Sequence, residues 1–518
     1  MINILRIFIV TIWFSCLIQS VSLYSQSAVY PNNGTLFDDK LHELKLVMSV
    51  DSFYHMQQND QLWTNHRYLV AVVYDGDTID QCDIRLKGNT SRNSKRKSFR
   101  IDFDKRVDGQ TLQGLETIYV HGNHNDPSMM REYLSAYVMR EMGVPSVRVN
   151  HVKLYLNDTY LGVRGLVEYI DKDFLKTRFG SNKGNNYKCT WPADLNWLGN
   201  DPSEYKKIIN PSPENERAYD LKTNEDLDDY SDLVELADWV NNKAQQSDFI
   251  TEFPKIFDVD GYLKALAAEV LIGHWDNYFY NKNNYFIYHH PTTGKMTYMP
   301  YDMDNTYGVQ WGVEDINKRD IHQWGNTSKS KAPLTYALLG HDEFKFKYEG
   351  YIYQAIESFF NLNHLGPVID STMARLSGAM KDDLHFDGKV DTDYGFSYND
   401  WLKSDDIAWG NHVTYGIKPY IENRANSALF QMEFKHNTLG INQKGIYFYP
   451  NPVQSGDFIY CDLNETTENK LEIYNAFGAL VKVVKIENGR FTSDGLAEGI
   501  YFAKLGSSNL GKIQIRPN

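Results

Sequence analysis

The feature that most constrains the fold of this 518-residue chain is its hydrophobic period, which changes twice along the sequence. Between about residues 36 and 170, apolar and polar residues alternate, as in YLVAVVYDG and KSFRIDFDK, which is the period of half-buried β-strands. From about 231 to 435, apolar residues recur every three or four positions, which is the helical period. Short strand patterns return between about 440 and 518. The sequence therefore predicts an α+β protein with a β-rich lobe, an α-rich lobe and a small C-terminal β-sandwich.

Three local signals place a helix, a hairpin and an insertion within this outline. The tripeptide Asp126-Pro127-Ser128 is a capping start for one helix inside the β-rich lobe, and Gly143 ends that helix. The pair Asn157-Asp158 predicts the turn of a β-hairpin. Residues 181–230 are polar and rich in Asn, Pro and charged residues, so they are predicted to form a long surface insertion.

The N-terminus has the features of an export signal. One positive charge precedes the apolar run IFIVTIWFSCLI, and small residues follow it, so residues 1–25 are predicted to be a signal peptide. The run is short for a membrane span, which leaves a retained anchor, or lipid attachment at Cys16, as the alternatives. No long apolar segment follows residue 26, so no transmembrane segment is expected in the mature chain.

Charge and cysteine content exclude several classes of function. The net charge is −14, so no basic field surrounds the protein, and nucleic acids and anionic membranes are poor candidate partners. After the N-terminal segment, the cysteines are Cys82, Cys189 and Cys461, which are odd in number and far apart. They predict neither a disulfide framework nor a zinc site. We expect buried free thiols, with a Cys82–Cys189 bridge as the alternative.

A cluster of acidic and amide residues surrounds the best candidate site. The stretch HWDNYFYNKNN lies between a helical apolar run and a strand, and it contains Asp276 and Asn284. A second strand then ends in Asp302 and Asp304. Folded as a hairpin, these strands would gather oxygen ligands of the kind that Mg²⁺ and phosphate groups need. Asp276 could orient or deprotonate a hydroxyl, whereas turn capping is the alternative role for each residue alone.

A lysine on the β-rich lobe is the candidate for binding an anion. By the two-residue pleat, Lys97 falls on the same face as Phe99 and Ile101, which is the inward face of its strand. A lysine there either extends past the edge of the core or points into a cleft that holds an anion.

Two other metal-like patterns are weak. His121-x-x-His124 has a suitable spacing but no third ligand nearby in the sequence, so zinc is not predicted. The loop DMDNTYG suggests calcium, but Tyr307 stands where an EF-hand requires glycine, and Val313 stands where it requires a bidentate glutamate.

Four segments carry a resemblance to a known family: IRLKGNTSRNSKRKSFRIDF, NDPSMMREYLSAYVMREMGVPSVRVNHVKLYLNDTYLGVRGLVEYID, HWDNYFYNKNNYFIYHHPTTGKMTYMPYDMDNTYG and IKPYIENRANSAL. In this order, across about residues 40 to 430, they resemble the CotH kinase-like family, the relatives of spore-coat protein H. The resemblance implies a two-lobed fold like that of atypical protein kinases. It also implies transfer of the ATP γ-phosphate to serine or threonine hydroxyls of a partner protein.

The resemblance assigns roles around the nucleotide. It implies that Lys97 contacts the ATP phosphates and that Asp276 is the catalytic aspartate. Arg85 and Lys87, on the preceding strand, are further candidates for contact with the nucleotide.

The resemblance also assigns the metal ligands. It implies Mg²⁺, with Mn²⁺ as a substitute, held by Asp302 in the role of the aspartate of a kinase Asp-Phe-Gly. Asn284 takes the place of the metal-binding asparagine, with Asn281 as its rival because it lies five residues after the catalytic aspartate. Asp304 is expected to assist with a second metal ion.

The chain departs from ordinary kinases in three ways. It has no GxGxxG phosphate loop, and the turn Gly88-Asn89-Thr90-Ser91 is the only candidate to replace it. His274-Trp275-Asp276 replaces the kinase His-Arg-Asp. Either Glu132 or Glu141 could pair with Lys97. A catalytically inactive surface or adhesive protein is therefore the alternative function.

The C-terminal segment carries a second resemblance. FYPNPVQSGDFIYCDL, LEIYNAFGALVKVV and LAEGIYFAKLGSSNLGKIQIRPN are similar to the C-terminal sorting domain of type IX secretion, type A. The similarity covers about residues 445 to 518. Together with the signal peptide, it implies passage through the periplasm and across the outer membrane by the type IX machinery, followed by release or attachment to the cell surface.

Overall fold

The structure is a computed structural model, and it describes residues 30–518 apart from 211–215, 313, 326–331, 387–392, 411, 433–447, 450–452, 462–469, 476–479, 487–489, 498, 506–508 and 517–518. The predicted signal peptide and Cys16 therefore lie outside the described residues. The chain divides into two compact units, one ending at Gln431 and the other beginning at Met432.

The N-terminal part of the first unit is a closed β-barrel whose strands are ordered β1-β2-β3-β4-β5-β7-β6. Neighbouring strands are antiparallel except for β1 and β6, whose parallel pairing closes the barrel. The strands are β1 (His42–Val47), β2 (Tyr68–Tyr74), β3 (Asp77–Lys87), β4 (Ser98–Asp102), β5 (Thr117–His121), β6 (Val149–Leu156) and β7 (Thr159–Glu168).

The period of two in the sequence builds the core of this barrel. Alternate residues of β3 and β4 point inward, among them Ile84, Leu86, Phe99 and Ile101, and all four are buried. Each large apolar side chain removed from water in this way contributes about 1.5–3 kcal/mol. The hairpin expected at Asn157-Asp158 is confirmed: β6 and β7 pair on either side of it, and Asn157 adopts a φ of +52°.

The helix expected within the β-rich region is present but begins later in the sequence. Helix α2 spans Arg131–Glu141, after α1 (Val50–His55). The Asp126 carboxylate accepts hydrogen bonds from the backbone N–H of Ser128 and of Arg131, both at 2.9 Å. Asp126 therefore stabilises a turn before the helix and also accepts the hydrogen bond of the first helical N–H.

The rest of the first unit is mainly helical, as the period of the sequence predicts. Its helices are α3 (Lys172–Phe179), α4 (Ser231–Asp238), α5 (Phe249–Ile256), α6 (Val259–Ile272), α7 (Tyr278–Asn281), α8 (Pro333–Leu339), α9 (Asp342–Ser358), α10 (Leu362–Lys381), α11 (Tyr398–Lys403) and α12 (Ile417–Gln431). Helix α6 is buried on nearly every side, so it forms the centre of this region.

A four-stranded sheet, ordered β11-β8-β12-β13, accompanies the helices. Its strands are β8 (Asn186–Cys189), β11 (Tyr219–Leu221), β12 (Tyr285–His289) and β13 (Met296–Pro300), and β9 (Ile208–Asn210) pairs separately with β10 (Glu216–Arg217). Residues 181–230 are therefore more than the surface insertion that their polarity predicts. Tyr187, Cys189 and Tyr219 are buried, and the strands that carry them are too short to give a clear alternating pattern.

The second unit consists of two sheets, as expected for the C-terminal segment. One sheet is ordered β14-β16-β19 and the other β15-β21-β20-β17-β18. The strands are β14 (Phe448–Tyr449), β15 (Val453–Gln454), β16 (Phe458–Cys461), β17 (Lys470–Asn475), β18 (Leu480–Lys485), β19 (Arg490–Thr492), β20 (Gly499–Leu505) and β21 (Asn509–Arg516). Residues of both sheets, such as Ile459 and Ile513, share one buried core.

Two further expectations concern thiols and membrane spans. Cys82 and Cys189 are free and buried, so the alternative of a bridge between them is wrong. Among the helices that the structure describes, none has both the length and the apolar character needed to cross a membrane.

Candidate active site

The hairpin β12–β13 brings the two halves of the candidate site together. Tyr285 pairs with Pro300, so the residues just before β12 and just after β13 meet at one end of the hairpin. The Tyr301 N–H donates to the carbonyl of Asn284 at 3.0 Å. Both Asn284 and Asp302 adopt a φ of +54°, a conformation that few residues other than glycine tolerate as readily as Asn and Asp.

Three asparagine side chains hold the carboxylate of Asp276. Asn281 Nδ2 donates to Oδ1 at 2.5 Å, Asn283 Nδ2 donates to Oδ1 at 3.3 Å, and Asn284 Nδ2 donates to Oδ2 at 3.0 Å. Burial raises the pKa of Asp276, while the amide of Asn281 acts to lower it. The two predicted rivals, Asn281 and Asn284, thus both contact the same carboxylate.

The loop that carries Asp276 is anchored to the end of α6. Asn277 caps α7 by accepting from the Tyr280 N–H at 2.9 Å, and its own Nδ2 donates to Glu269 Oε2 at 2.9 Å. Glu269 is buried in α6, and its other carboxylate oxygen accepts from the hydroxyl of Tyr298 in β13. One buried glutamate therefore ties the loop to both the central helix and the hairpin.

The hairpin carboxylates face a lysine of the barrel. Lys87 Nζ donates to Asp302 Oδ1 at 3.1 Å, and it lies 4.8 Å from the ring centroid of Tyr119 and 5.4 Å from that of Tyr301. Loss of solvent acts to raise the pKa of Asp302, but the adjacent Lys87 ammonium lowers it to about 2. Asp302 is therefore ionised at neutral pH.

The pKa of Asp304, in the same cleft, shifts in the opposite direction from that of Asp302. Burial raises the pKa of Asp304 well above its usual range, and the charges of Asp302 and Glu132 raise it further. Asp276 also contributes to this rise. Close negative charges disfavour each other's ionisation, so a cation bound among these carboxylates would stabilise the ionised form of Asp304.

Glu132, one of the two glutamates expected to pair with Lys97, contacts His121 instead, and the role of His121 could not be recognised from the sequence. His121, at the end of β5, contacts Lys87 through Nε2 and Glu132 through Nδ1. The ligand atoms of His121, Glu132 and Asp302 all lie within 4.8 Å of one another. His121 belongs to the His121-x-x-His124 pattern, but Asp302 lies far along the chain and His124 is not part of the cluster.

Lys87, His121 and the carboxylates Asp302 and Asp304 line one cleft between the barrel and the hairpin. The lining residues are Lys87, Gly88, Ser91, Ser98, His121, Asn123, His124, Asp302 and Asp304. They include Gly88 and Ser91 of the turn that was the candidate replacement for a phosphate loop. Oxygen and nitrogen atoms dominate the lining, so the cleft suits a charged, polar ligand.

The remaining candidates lie elsewhere. Lys97 precedes β4, and its Nζ donates at 2.5 Å to the carbonyl of Arg92, in the segment between β3 and β4. Lys97 is not among the residues that line the cleft. Arg85 Nη1 donates to Asn65 Oδ1 at 2.9 Å. Glu141 lies at the far end of α2, 3.9 Å from the ring of His364.

The face on which each strand residue lies explains why Lys87 is at the cleft and Lys97 is not. The inward residues of β3 and β4 fill the barrel core, whereas the cleft lies against the outer face, which carries Lys87, Ser98 and His121. Ser98 pairs directly with Lys87 across the two strands. The expectation that an inward-facing lysine points into a cleft does not describe this arrangement, because the inside of the barrel is filled by apolar side chains.

Comparison with protein families gives two matches. Residues 84–428 match the sequence model of the family described as CotH kinase protein. This segment covers well over half of the chain and contains all the cleft residues. Residues 447–516 match the secretion system C-terminal sorting domain, so the second unit carries a sorting domain for export.

Individual relatives are spore-coat proteins and invasins. The inner spore coat protein H of Bacillus subtilis (strain 168) is 26% identical over 296 residues, which cover 57% of this chain and 76% of that protein. Invasin CotH2 of Rhizopus delemar is 25% identical over 311 residues, and invasin CotH3 of the same organism is 24% identical over 269 residues. The chain spans about half the length of these invasins, 50% and 43% respectively.

Proposed function

Because the chain belongs to the CotH kinase protein family, we propose that it is a secreted or cell-surface atypical protein kinase. It transfers the γ-phosphate of ATP to serine or threonine hydroxyls of a partner protein. In this proposal the barrel is the N-terminal lobe and the helical region is the C-terminal lobe of a kinase-like fold. The observation that carries it is the meeting of Lys87 with Asp302 at a polar cleft, beside Asp304 and the caged carboxylate of Asp276.

The donor set at the cleft fits a hard divalent cation. Asp302 and Asp304 supply carboxylate oxygens, which Mg²⁺ prefers. Asn284 donates its amide nitrogen to Asp276, which leaves its amide oxygen for a cation. These residues, with Asn281 as the rival amide, would hold Mg²⁺ or Mn²⁺, which when bound neutralises charge on the phosphate groups.

Asp276 is the base in this proposal. Its carboxylate accepts the proton of the substrate hydroxyl, and burial, by raising its pKa, makes it a stronger acceptor than an exposed aspartate. The asparagine amides fix the direction of the carboxylate before substrate binds. Lys87 provides the positive charge for the phosphates, with Gly88 and Ser91 at the adjoining turn.

The C-terminal sorting domain supports the secreted or cell-surface location in this proposal. The sorting domain at residues 447–516 accounts for secretion and attachment at the cell surface. We propose that residues 1–25 direct the chain to the periplasm and that type IX machinery then recognises the tail.

A second candidate function is a surface or adhesive protein that keeps the fold without turnover. It is favoured by the names of the fungal relatives, which are invasins, and by the absence of the arginine of a kinase His-Arg-Asp at position 275. This candidate predicts that variants of the cleft fold normally and still bind a cell-surface partner.

An assay of phosphate transfer by the purified full-length protein distinguishes the kinase from the surface or adhesive protein. The protein is incubated with γ-labelled ATP and Mg²⁺, with itself and dephosphorylated casein as acceptors. We expect Asp276→Asn to lower transfer by about 10²–10⁴-fold, the range for loss of a general base. Asp302→Asn is expected to abolish the Mg²⁺-dependent transfer, because it removes a carboxylate ligand of the cation. Asp158→Asn, in the exposed β6–β7 turn, is the matched control.

The outcomes decide between the candidates. Transfer by the wild type and the control, but not by the two cleft variants, supports the kinase. Equal transfer, or equal lack of it, in all four proteins rejects the kinase and leaves the adhesive candidate.

A further inference from the structure

Lys87, His121 and Glu132 form a continuous line of polar contacts behind the cleft. Lys87 Nζ contacts His121 Nε2, and His121 Nδ1 contacts Glu132 Oε2. The side chains are 12%, 6% and 1% exposed, in that order along the line. The line therefore runs from the wall of the cleft into the interior, where α2 supplies the glutamate.

The chemistry of the three groups fixes where the protons lie. A lysine ammonium can only donate hydrogen bonds, so His121 Nε2 must accept and carries no proton. The other ring nitrogen, Nδ1, then carries the proton and donates it to the Glu132 carboxylate. One tautomer of a neutral imidazole satisfies both contacts, and the ammonium keeps its positive charge.

We propose that His121 is a positioning residue for phosphate transfer, which holds the Lys87 ammonium at the cleft and is itself oriented by Glu132. This role rests on the proposed function. An ordinary kinase pairs its lysine directly with a glutamate. Here an imidazole stands between the two groups, and the lysine meets Asp302 on its other side at 3.1 Å.

The inserted imidazole has a consequence for the charge of the cleft. The attraction between two charges falls with their separation, so a glutamate one ring away neutralises the ammonium less than a direct partner would. The rings of Tyr119 and Tyr301 complete the surroundings of the ammonium without adding a negative charge. Asp302 contacts the ammonium directly at 3.1 Å, whereas Glu132 reaches it only through the imidazole, so one carboxylate and not two offsets the charge that Lys87 offers to the phosphates.

The test compares substitutions of His121 that differ in hydrogen bonding. His121→Leu removes both contacts. His121→Gln keeps an acceptor for Lys87 and a donor for Glu132, because an amide carries both. His66→Leu, at an exposed histidine, is the control. Each protein is assayed as the full chain for kcat and KM of ATP, for the affinity of trinitrophenyl-ATP by fluorescence, and for its melting temperature.

We expect His121→Leu to lower kcat/KM for ATP by about 10- to 100-fold, as loss of alignment of a charged group does. His121→Gln should recover at least about 5-fold of that loss, the effect of one restored hydrogen bond. The two variants should melt within a few degrees of each other. If His121→Leu is too unstable to assay, Glu132→Gln and Glu132→Leu replace the pair, because only the glutamine keeps an acceptor for the Nδ1 proton.

Each outcome bears on one proposal or the other. Equal kinetics for Leu and Gln, whether both unchanged or both reduced, would overturn the positioning role, because packing alone would explain it. If the wild type binds trinitrophenyl-ATP but transfers no phosphate, the kinase is rejected. The positioning role is then judged by whether affinity falls in the order wild type, Gln, Leu. If the wild type neither binds nor transfers, both proposals fail.

Discussion

Replacing Asp171 with asparagine is expected to stabilise the first unit, and to do so more at high pH. Asp171 caps α3, just after the last barrel strand, and its Oδ1 accepts from the N–H groups of Asp173 and Phe174 at 3.0 Å each. Burial, together with the charges of Asp173, Glu168 and Glu116, raises its pKa from 3.8 to about 7. Asparagine keeps an oxygen for the cap without the charge.

The direction and size of the effect follow from the linkage between protonation and folding. The pKa of Asp171 is higher in the folded protein, so the stabilisation from its proton is complete below about pH 4 and is lost as pH rises through about 7. A rise of about 3 pKa units corresponds to about 4 kcal/mol. Asp171→Asn should therefore gain about 1.5 kcal/mol at pH 5 and about 4 kcal/mol at pH 8.

Urea unfolding at these two pH values, followed by tryptophan fluorescence, measures the gain. All ten tryptophans lie before residue 410, so the signal reports on the first unit and not on the sorting domain. Asp201→Asn is the matched control, because Asp201 also caps a short helix through its side chain but is exposed. Asp201→Asn and the wild type both keep Asp171, so the difference between their midpoints should be the same at pH 5 and pH 8.

The pH dependence is the critical result. A gain that is the same at pH 5 and pH 8 would show that the charge of Asp171 is not the cause. A loss of stability at pH 8 would show that the ionised carboxylate stabilises α3, which refutes the reasoning.

Two further predictions concern the cleft and the barrel. Lys87→Met should lower kcat/KM for ATP by about 10²-fold, because Lys87 contacts Asp302 at the cleft. Lys97→Met should change kcat/KM less than about 3-fold, because Lys97 contacts the Arg92 carbonyl instead. The reverse order in the same transfer assay would show that Lys97, and not Lys87, contacts the phosphates. Gly162→Ala should lower the free energy of unfolding by about 2 kcal/mol or more, because Gly162 has a φ of +105° and an added Cβ would lie 2.2 Å from Oδ2 of Asp383. Gly76→Ala, at a φ of +98° but with open space around it, isolates the backbone cost in the same urea titration, and equal losses would contradict the steric reasoning.

The local pattern of the sequence was sufficient to predict the hairpin and the convergence of its carboxylates. Consecutive strands joined by a short turn pair antiparallel, so the start of β12 meets the end of β13, and Asn284 and Asp302 lie there. The cage of amides around Asp276 also comes from one short stretch of chain. Such contacts are set by neighbours in the sequence.

Which lysine lies at the cleft depends on closure of the barrel, and the alternation of residues along a strand does not specify that closure. The alternation places Lys97 on the inward face, but closure of the sheet into a barrel turns that face into a filled core. The line from Lys87 to Glu132 joins β3, β5 and α2, and no periodicity links those segments. The strands within residues 181–230 could not be predicted, because two to four residues are too few to establish a period.

Closure of the barrel has a consequence for how the exported chain meets other chains. An open sheet ends in strands whose unpaired N–H and C=O groups accept a foreign strand, and a cylinder offers none of these groups along its circumference. In the five-stranded sheet of the sorting domain, β18 is such a border, with Leu480, Val481 and Val483 exposed. Lys482 interrupts that apolar row and Lys485 ends the strand, and lysines at edge strands of this kind act against edge-to-edge association of chains.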